Sequence, residues 1–478
     1  MTSADNRSGS LHRTLSFWGA LGLSVALLGP SMAANINPQA SAAQVGRAVP
    51  LVFLGSTAAV LLVAYAFIRL CKHFAHAGSV YGLVSATLGP RTGFVSGWLL
   101  LGTYLAFTVT TLSGSALFLT SFLRDAGWWR SADWLVPIAV AMVLLVLLAT
   151  RPAAVATKVL LGVEVVTMLL ILAVSVVVVV RLAAHDAPDG QTLTGAVFVP
   201  AQGVPVSAVF FAMTFGFLSF AGFEAAATLG EETVNPRRAI PQALLGTVLV
   251  AGLFFVFVTA VESMGFGTGE SGVRAFTGSS SLVGDLARDY IGGWSGDLVT
   301  LGAGISAFGS ALACAVGASR LLYAMGRDGF AGHNLGIARE RDGVPIRAVG
   351  GVLVLVTLVV AGLRLAVTSS VSDIFFWTAT VGSLALLSAY LLCVAGAIRF
   401  LFFGHPRRAR MWEICLPLAG AGLVGYTLWT NVYPVPAAPY DIFPYVVVAW
   451  TVLGVAYAAR NRALGRQRSP ELDGLRES

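Results

Sequence analysis

The sequence predicts an all-α polytopic membrane protein with twelve transmembrane helices, and three observations support this prediction. Of the 478 residues, 56% are hydrophobic and only 11% are charged, whereas a soluble domain carries roughly 25% charged residues. Apolar runs are long: Glu164 is the only ionisable residue between Lys158 and Arg181, and about 20 apolar residues cross a bilayer core. Basic residues are also concentrated in alternate loops.

Apolar windows of about 20 residues, bounded by charges and by glycine or proline clusters, define the helices in order. The predicted spans are 15–42, 47–70, 92–123, 134–150, 156–183, 206–230, 240–263, 296–325, 346–366, 374–400, 412–432 and 443–460. An even number of spans puts both termini on one side of the membrane. The tails are residues 1–14 and 461–478.

The distribution of Lys and Arg tests this topology, because cytoplasmic loops carry an excess of both. Of the 30 Lys and Arg residues, 23 fall on the side that holds both termini and 7 on the other. We therefore expect both termini in the cytoplasm and the protein in the cell membrane. The net charge of +7 is then a topology signal rather than a nucleic-acid patch.

One alternative concerns the first span. Arg7, Arg13 and the apolar stretch 15–28, followed by Ser31-Met32-Ala33, imitate a cleaved secretory signal. Cleavage would leave eleven spans and separate the termini, against the loop charges. The four cysteines show no CxxC or Cys/His spacing and are interpreted as free thiols.

Two spans carry interruptions at comparable depth. The first contains Gly29 and Pro30, and the sixth contains Gly216, Gly222 and Glu224. Proline removes a backbone donor and glycine adds flexibility, so both are poor in a continuous helix. Five spans separate the interruptions, which predicts two inverted repeats, 15–183 and 206–400, followed by two further helices within 412–460. Inverted repeats with broken helices at mid-membrane are typical of secondary transporters.

Two stretches resemble a known family. Phe220 to Pro241, reading FAGFEAAATLGEETVNPRRAIP, is similar to the sixth-helix signature of the amino acid-polyamine-organocation (APC) permeases. Ser319 to Gly329, SRLLYAMGRDG, with Gly343-Val344-Pro345, resembles the end of helix 8 and its loop. The resemblance implies the LeuT-like fold, a 5+5 inverted repeat plus two peripheral helices.

The resemblance also implies a function: a secondary active transporter that moves amino acids across the plasma membrane by alternating access. A polyamine or organic cation importer, or an amino acid exchanger of the same fold, is the alternative. No enzyme motif, cofactor motif or convincing metal cluster is present, since His73 and His76 lack a third ligand. A channel would show a filter loop or rings of charge. A sensor with the same fold stays open.

The family's helix 1 break carries a Gly-Ser-Gly type motif that receives the substrate carboxylate, and Ser31-Met32-Ala33 fall on it with neither glycine kept. Free N–H groups at a helix start bind anions, so we assign the carboxylate to the amides of Met32 to Ala34. Carbonyls near Phe217 to Ala221 are expected to receive the ammonium. The expected substrate-binding residues are Gly29, Ser31, Met32, Ala33, Ala34, Tyr104, Phe217, Leu218, Ser219, Phe220, Ala221 and Gly222.

Two acids in the spans are candidates for proton coupling. Many sodium-independent relatives carry a positively charged lysine at the position of Glu164, whereas this sequence has a negatively charged residue there. A charge at the bilayer centre is costly, so Glu164 could bind a proton in one state and release it in another. For Glu224 we favour a structural role over coupling. Sodium is the less favoured ion: Ser306 and Ser310 could be ligands, but serines usually bond their own helix.

An inner gate is predicted at the cytoplasmic ends of helices 6 and 8. It would pair residues at the end of helix 6, Glu231, Glu232, Arg237 and Arg238, with Arg320, Arg327 and Asp328 at the end of helix 8.

Overall fold

The computed structural model describes residues 17–74, 80–151, 154–229, 233, 235–327, 332–337, 339 and 344–460. These residues form seventeen α-helices. They are α1 (Phe17–Leu28), α2 (Pro30–Val45), α3 (Val49–His73), α4 (Val80–Leu88), α5 (Pro90–Asp125), α6 (Leu135–Ala149), α7 (Ala154–Ala183), α8 (Val206–Ser219), α9 (Pro236–Gly265), α10 (Glu270–Gly278), α11 (Leu282–Tyr290), α12 (Gly293–Arg327), α13 (Gly332–Leu335), α14 (Ile346–Ala366), α15 (Val371–Phe402), α16 (Cys415–Thr430) and α17 (Phe443–Arg460).

The all-helical membrane fold is confirmed. Within the described residues, ten helical segments are long and apolar enough to cross a membrane. The first predicted span is divided into α1 and α2, and the span 134–150 is the shorter apolar helix Leu135–Ala149. The full number of twelve therefore stays a prediction, as do the exact limits of the two repeats.

The centre of the bundle is built around α5, which has 36 residues. It packs along α12 and α15, while α3 packs along α9. Several of its polar residues are satisfied within the helix: the hydroxyls of Thr103, Thr108 and Thr111 donate to carbonyls four residues earlier. Side-chain bonds of this kind let a polar residue lie in an apolar helix. The scaffold is therefore continuous across the membrane.

Sequence analysis missed α10 and α11, which are short and partly polar. Arg288 on α11 forms ion pairs with Asp125 at the end of α5, at 3.1 Å, and with Asp297 at the start of α12, at 2.8 Å. It also pairs with Asp285 of its own helix at 3.1 Å. Burial raises the pKa of the Asp285 carboxyl, against the lowering effects of the Ser279 hydroxyl and the Arg288 guanidinium. These bonds fasten α11 across the end of the bundle.

Two tryptophans fasten α17 to α5. The Trp98 indole N–H donates to the Trp450 carbonyl at 2.8 Å, and the Trp450 indole N–H donates to the Trp98 carbonyl at 2.9 Å. Their rings stack with centroids 4.4 Å apart. Gly102 and Gly454 make room: a Cβ on Gly102 would lie 2.6 Å from Trp450 Nε1, and one on Gly454 would meet the Trp98 ring.

We expect Gly454→Ala to lower the free energy of unfolding by about 1–3 kcal/mol, because the added methyl group overpacks the contact. Gly422→Ala on α16 is the matched control, since its Cβ would meet no atom within 4 Å. Thermal unfolding of the purified protein measures both. Equal transition temperatures for the two variants would contradict the packing argument.

Candidate functional site

The first interruption is a single residue. Helix α1 ends at Leu28, Gly29 adopts a left-handed φ of 58°, and Pro30 begins α2. Proline suits the first position of a helix because it needs no N–H there. The predicted break at Gly29 and Pro30 is thus present, and Ser31 to Ala34 lie in the first turns of α2.

Hydrogen bonds explain why the two helices do not join. In a continuous helix the N–H groups of Ser31 and Met32 would bond the carbonyls of Leu27 and Leu28. Instead, Ser31 N–H donates to Glu164 Oε1 at 2.8 Å and Met32 N–H donates to Ser306 Oγ at 3.2 Å. Among the described residues, no backbone N–H reaches the Leu27 or Leu28 carbonyl. The break therefore leaves two acceptors without backbone donors.

The amides assigned to a substrate carboxylate are consequently not free. Met32 N–H is bonded to Ser306, and Ala33 N–H donates to the Gly29 carbonyl at 2.9 Å. Glu164 is 4% exposed, and its Oε1 accepts from Ser31 N–H. The anion site at the start of α2 is thus filled by a carboxylate of the chain itself.

The second interruption follows α8. Residues 220–222 form a turn, Gly222 has a φ of 105°, and a 3₁₀ segment, Phe223–Leu229, continues the chain. Gly222 N–H donates to Glu224 Oε2 at 3.1 Å, and the Tyr390 hydroxyl on α15 donates to the same oxygen at 2.7 Å. Glu224 therefore ties this break to the scaffold, as a structural role requires. Each interruption has a buried glutamate on one of its amides.

Side chains of α2 connect the two interrupted helices with the end of the bundle. Asn37 Nδ2 donates to Ser219 Oγ at 2.8 Å. Asn35 Oδ1 accepts hydrogen bonds from the Ser281 hydroxyl and from Val283 N–H at the start of α11, at 2.9 and 3.0 Å. A movement of α2 would therefore be transmitted to α8 and α11.

A small cavity of about 30 Å³ lies between the interruptions. It is lined by Leu27, Leu28, Met32, Asn37, Phe107, Thr110, Thr111, Leu218, Ala221, Ser310, Cys314 and Phe375. Asn37 Oδ1 and Ser310 Oγ are buried and have no hydrogen-bond partner within the described residues. A space of this size holds one or two water molecules, so an organic ligand would require the cavity to widen.

Three of the predicted substrate residues line this cavity: Met32, Leu218 and Ala221. The others lie beside it or in its supports. Tyr104 packs against Gly317 of α12, and Ser219 bonds Asn37. The remaining predicted residues that are absent from the lining are Gly29, Ser31, Ala33, Ala34, Phe217, Phe220 and Gly222.

Sequence analysis missed most of the lining. Asn37 could have been predicted from the sequence, because an amide inside an apolar span needs hydrogen-bond partners. Thr110 and Thr111 form a similar polar pair within an apolar span. Phe107 and Phe375 could not have been predicted, because the sequence does not show which way an aromatic residue on a membrane helix faces. Ser306 and Ser310 both face the break in helix 1, so the preference for bonds to their own helix was wrong for Ser306.

Glu262 is a third buried acid in the predicted membrane helices. It lies on α9, is 0% exposed, and neither carboxyl oxygen has a hydrogen-bond partner within the described residues.

The described residues include only part of the predicted inner gate. Glu231 and Asp328 lie outside the described residues, as does the side chain of Arg327, while Arg320 is exposed on α12.

The chain is similar in sequence to several proteins named as transporters. A family profile described as amino acid permease matches residues 28–410. The low-affinity putrescine importer PlaP of Escherichia coli is 24% identical over 59% of this chain and 60% of its own length. The branched-chain amino acid permease BcaP of Lactococcus lactis is 24% identical over 64% of this chain and 66% of its own. Both matches thus span less than two thirds of the relative.

Two longer matches complete the comparison. A Mycobacterium tuberculosis protein named only as an uncharacterized transporter is 28% identical over 91% of this chain and 87% of its own length. Among solved structures, a manganese transporter of Eremococcus coleocola superposes with a TM-score of 0.55 at 14% identity, covering 96% of this chain and 99% of its own. The superposition on the manganese transporter shows a shared fold, which is LeuT-like.

We expect opposite stability effects from removing two buried carboxyls. Glu224→Leu would leave Gly222 N–H and the Tyr390 hydroxyl unpaired, at about 1–3 kcal/mol for each buried group. Glu262→Leu removes a carboxyl that has no hydrogen-bond partner in the described part of the chain, and it should leave the free energy of unfolding unchanged or higher. Thermal unfolding compares them. A larger loss for Glu262→Leu than for Glu224→Leu would contradict the hydrogen-bond assignment.

Proposed function

The chain belongs to the amino acid permease family, and on this premise we propose that it is a secondary transporter of small neutral amino acids. It would carry them across the cell membrane by alternating access, with both termini in the cytoplasm as the loop charges predict. The transport activity, the substrate class and the coupling ion all belong to this proposal.

The observation that carries the proposal is the cavity between two interrupted helices. Irregular backbone at membrane depth is tolerated where it faces protein or a cavity, and secondary transporters place substrate sites at such breaks. The cavity is mainly apolar, with the unpartnered Asn37 Oδ1 and Ser310 Oγ as polar contacts. An amino acid with an aliphatic side chain matches this combination better than a charged one.

The two ends of the substrate would find different partners. Its ammonium is a donor, and Asn37 Oδ1 and the Leu27 and Leu28 carbonyls are acceptors without backbone donors. Its side chain would pack against apolar residues such as Phe107 and Phe375. Its carboxylate would turn toward the start of α2, where amide groups and the helix dipole favour negative charge.

Polyamine import is the second candidate, and one observation favours it. With the Ser31 and Met32 amides occupied, the lining offers acceptors but few donors, which suits an amine. A diamine would need a negatively charged partner at each end. No carboxylate lines the cavity, so the described lining favours an amino acid or a monoamine.

We propose the proton as the coupling ion, with Glu164 and Glu224 as candidate carriers. Both are buried in membrane spans, and within the described residues neither is paired with Lys or Arg in an ion pair. A carboxylate held only by neutral donors can exchange its charge for a proton without stranding a partner cation. Sodium is the less favoured ion.

Asn37→Ala should reduce uptake of L-leucine at least tenfold, because it removes the cavity's unpartnered amide oxygen and the bond to Ser219. Counterflow in reconstituted vesicles measures this. Asn431→Ala is the control: Asn431 is also buried and bonded, to Thr214 and Thr427, but lies outside the cavity lining. Saturable counterflow of putrescine without that of L-leucine would favour the second candidate, and no counterflow of any amino acid or amine would contradict transport.

Glu164→Gln should abolish accumulation driven by a proton gradient while counterflow of L-leucine persists, because glutamine cannot release a proton. Uptake against external pH, in vesicles with and without a gradient, measures this. Accumulation and pH dependence equal to those of the wild type would remove Glu164 from the coupling step.

A further inference from the structure

We infer that Glu164 occupies the place of the substrate carboxylate in the unloaded carrier and must leave it when an amino acid binds. The inference rests on the proposed function and deepens it. The protein would be self-liganded at rest, with one carboxylate at the start of α2 in either state.

The start of α2 offers only two adjacent N–H groups. Pro30 has no N–H, and Ala33 N–H is already used by the Gly29 carbonyl at 2.9 Å. Ser31 N–H and Met32 N–H remain, and they are bonded to Glu164 at 2.8 Å and Ser306 at 3.2 Å. A second carboxylate therefore finds no free donor at this helix start until Glu164 or Ser306 moves.

Glu164 and a substrate carboxylate would also repel each other. Two carboxylates that share one site cannot both stay ionised at low cost. Glu164 is 4% exposed, so water would screen the repulsion poorly. The two groups consequently compete for the same helix end, and binding of one favours release or protonation of the other.

The cavity gives a substrate access to this helix end. Ser310 lines the cavity, and Ser306 lies one turn away on the same helix, where its Oγ accepts from Met32 N–H. Met32 itself lines the cavity. Rotation of the Ser306 side chain would expose Met32 N–H to a ligand in the cavity, and Glu164 could then yield Ser31 N–H.

Glu224 does not have the same role, although it also bonds an amide at a break. Its Oε2 holds the Tyr390 hydroxyl on α15 as well as Gly222 N–H, so it joins two elements of the scaffold. It does not line the cavity. Competition with substrate is therefore assigned to Glu164 alone.

The test compares two probes, L-leucine and 3-methylbutylamine, the amine that remains when the carboxyl group of leucine is removed. Binding to purified wild type, Glu164→Ala and Glu262→Ala is measured by calorimetry. We expect Glu164→Ala to bind L-leucine about tenfold more tightly than the wild type and 3-methylbutylamine with unchanged affinity. Glu262→Ala, which also loses a buried carboxyl, should show no selective gain for L-leucine.

Glu164→Gln covers the case in which the alanine variant does not fold. Its amide oxygen still accepts from Ser31 N–H but carries no charge, so the gain for L-leucine should be smaller and in the same direction. Weaker or unchanged binding of L-leucine in both variants would overturn the inference, because Glu164 would then support the site. Counterflow of L-leucine by the wild type reports separately on the proposed function.

A second measurement tests the competition even if the wild type binds neither probe. Propionate is a bare carboxylate, and hydrogen exchange reports on the peptide that covers residues 27–34. We expect propionate to slow exchange of this peptide in Glu164→Ala and to leave the wild type unchanged. No protection in the variant, or equal protection in both proteins, would overturn the inference.

Discussion

Backbone polar groups have no water to bond within the hydrocarbon of a bilayer, so a helix can be interrupted there only if something replaces its lost hydrogen bonds. In this protein two buried glutamates and Ser306 accept the hydrogen bonds of N–H groups at the interruptions. Glu164 accepts from Ser31 N–H and Glu224 accepts from Gly222 N–H. Both interruptions depend on these bonds, and the cavity exists because the interruptions do.

The two glutamates connect their interruptions to different parts of the structure. Glu224 is held by α15 through Tyr390, so its break is anchored to the scaffold. Glu164 and Ser306 reach from α7 and α12 to the first turn of α2, and Asn35, about one turn further along α2, is bonded to the start of α11. A change at the start of α2 would therefore be transmitted to α11, which is the kind of coupling that alternating access requires.

Sequence alone could place the membrane helices and the two interruptions, because apolar length and the pair Gly29-Pro30 act locally. The sequence could not show which residues accept hydrogen bonds from the amides at these interruptions. Ser31 and Glu164 are 133 residues apart in the chain, and only packing of α7 against α2 brings them together. The lining residues Phe107, Cys314 and Phe375 were missed for a related reason: helices that are apolar on every side do not show which face meets the cavity. The polar α10 and α11 were missed because they carry no membrane signal.

The central claim is that a substrate enters the cavity between the two interruptions and replaces Glu164 at the start of α2. A density map of the protein bound to L-leucine, compared with one of the unliganded protein, tests this most directly. We predict ligand density between Leu28 and Ala221, next to Asn37, with the ligand carboxylate at the Ser31 and Met32 amides and Glu164 displaced from Ser31. Ligand density elsewhere, or helices that run unbroken through Gly29 and Gly222, would contradict the account.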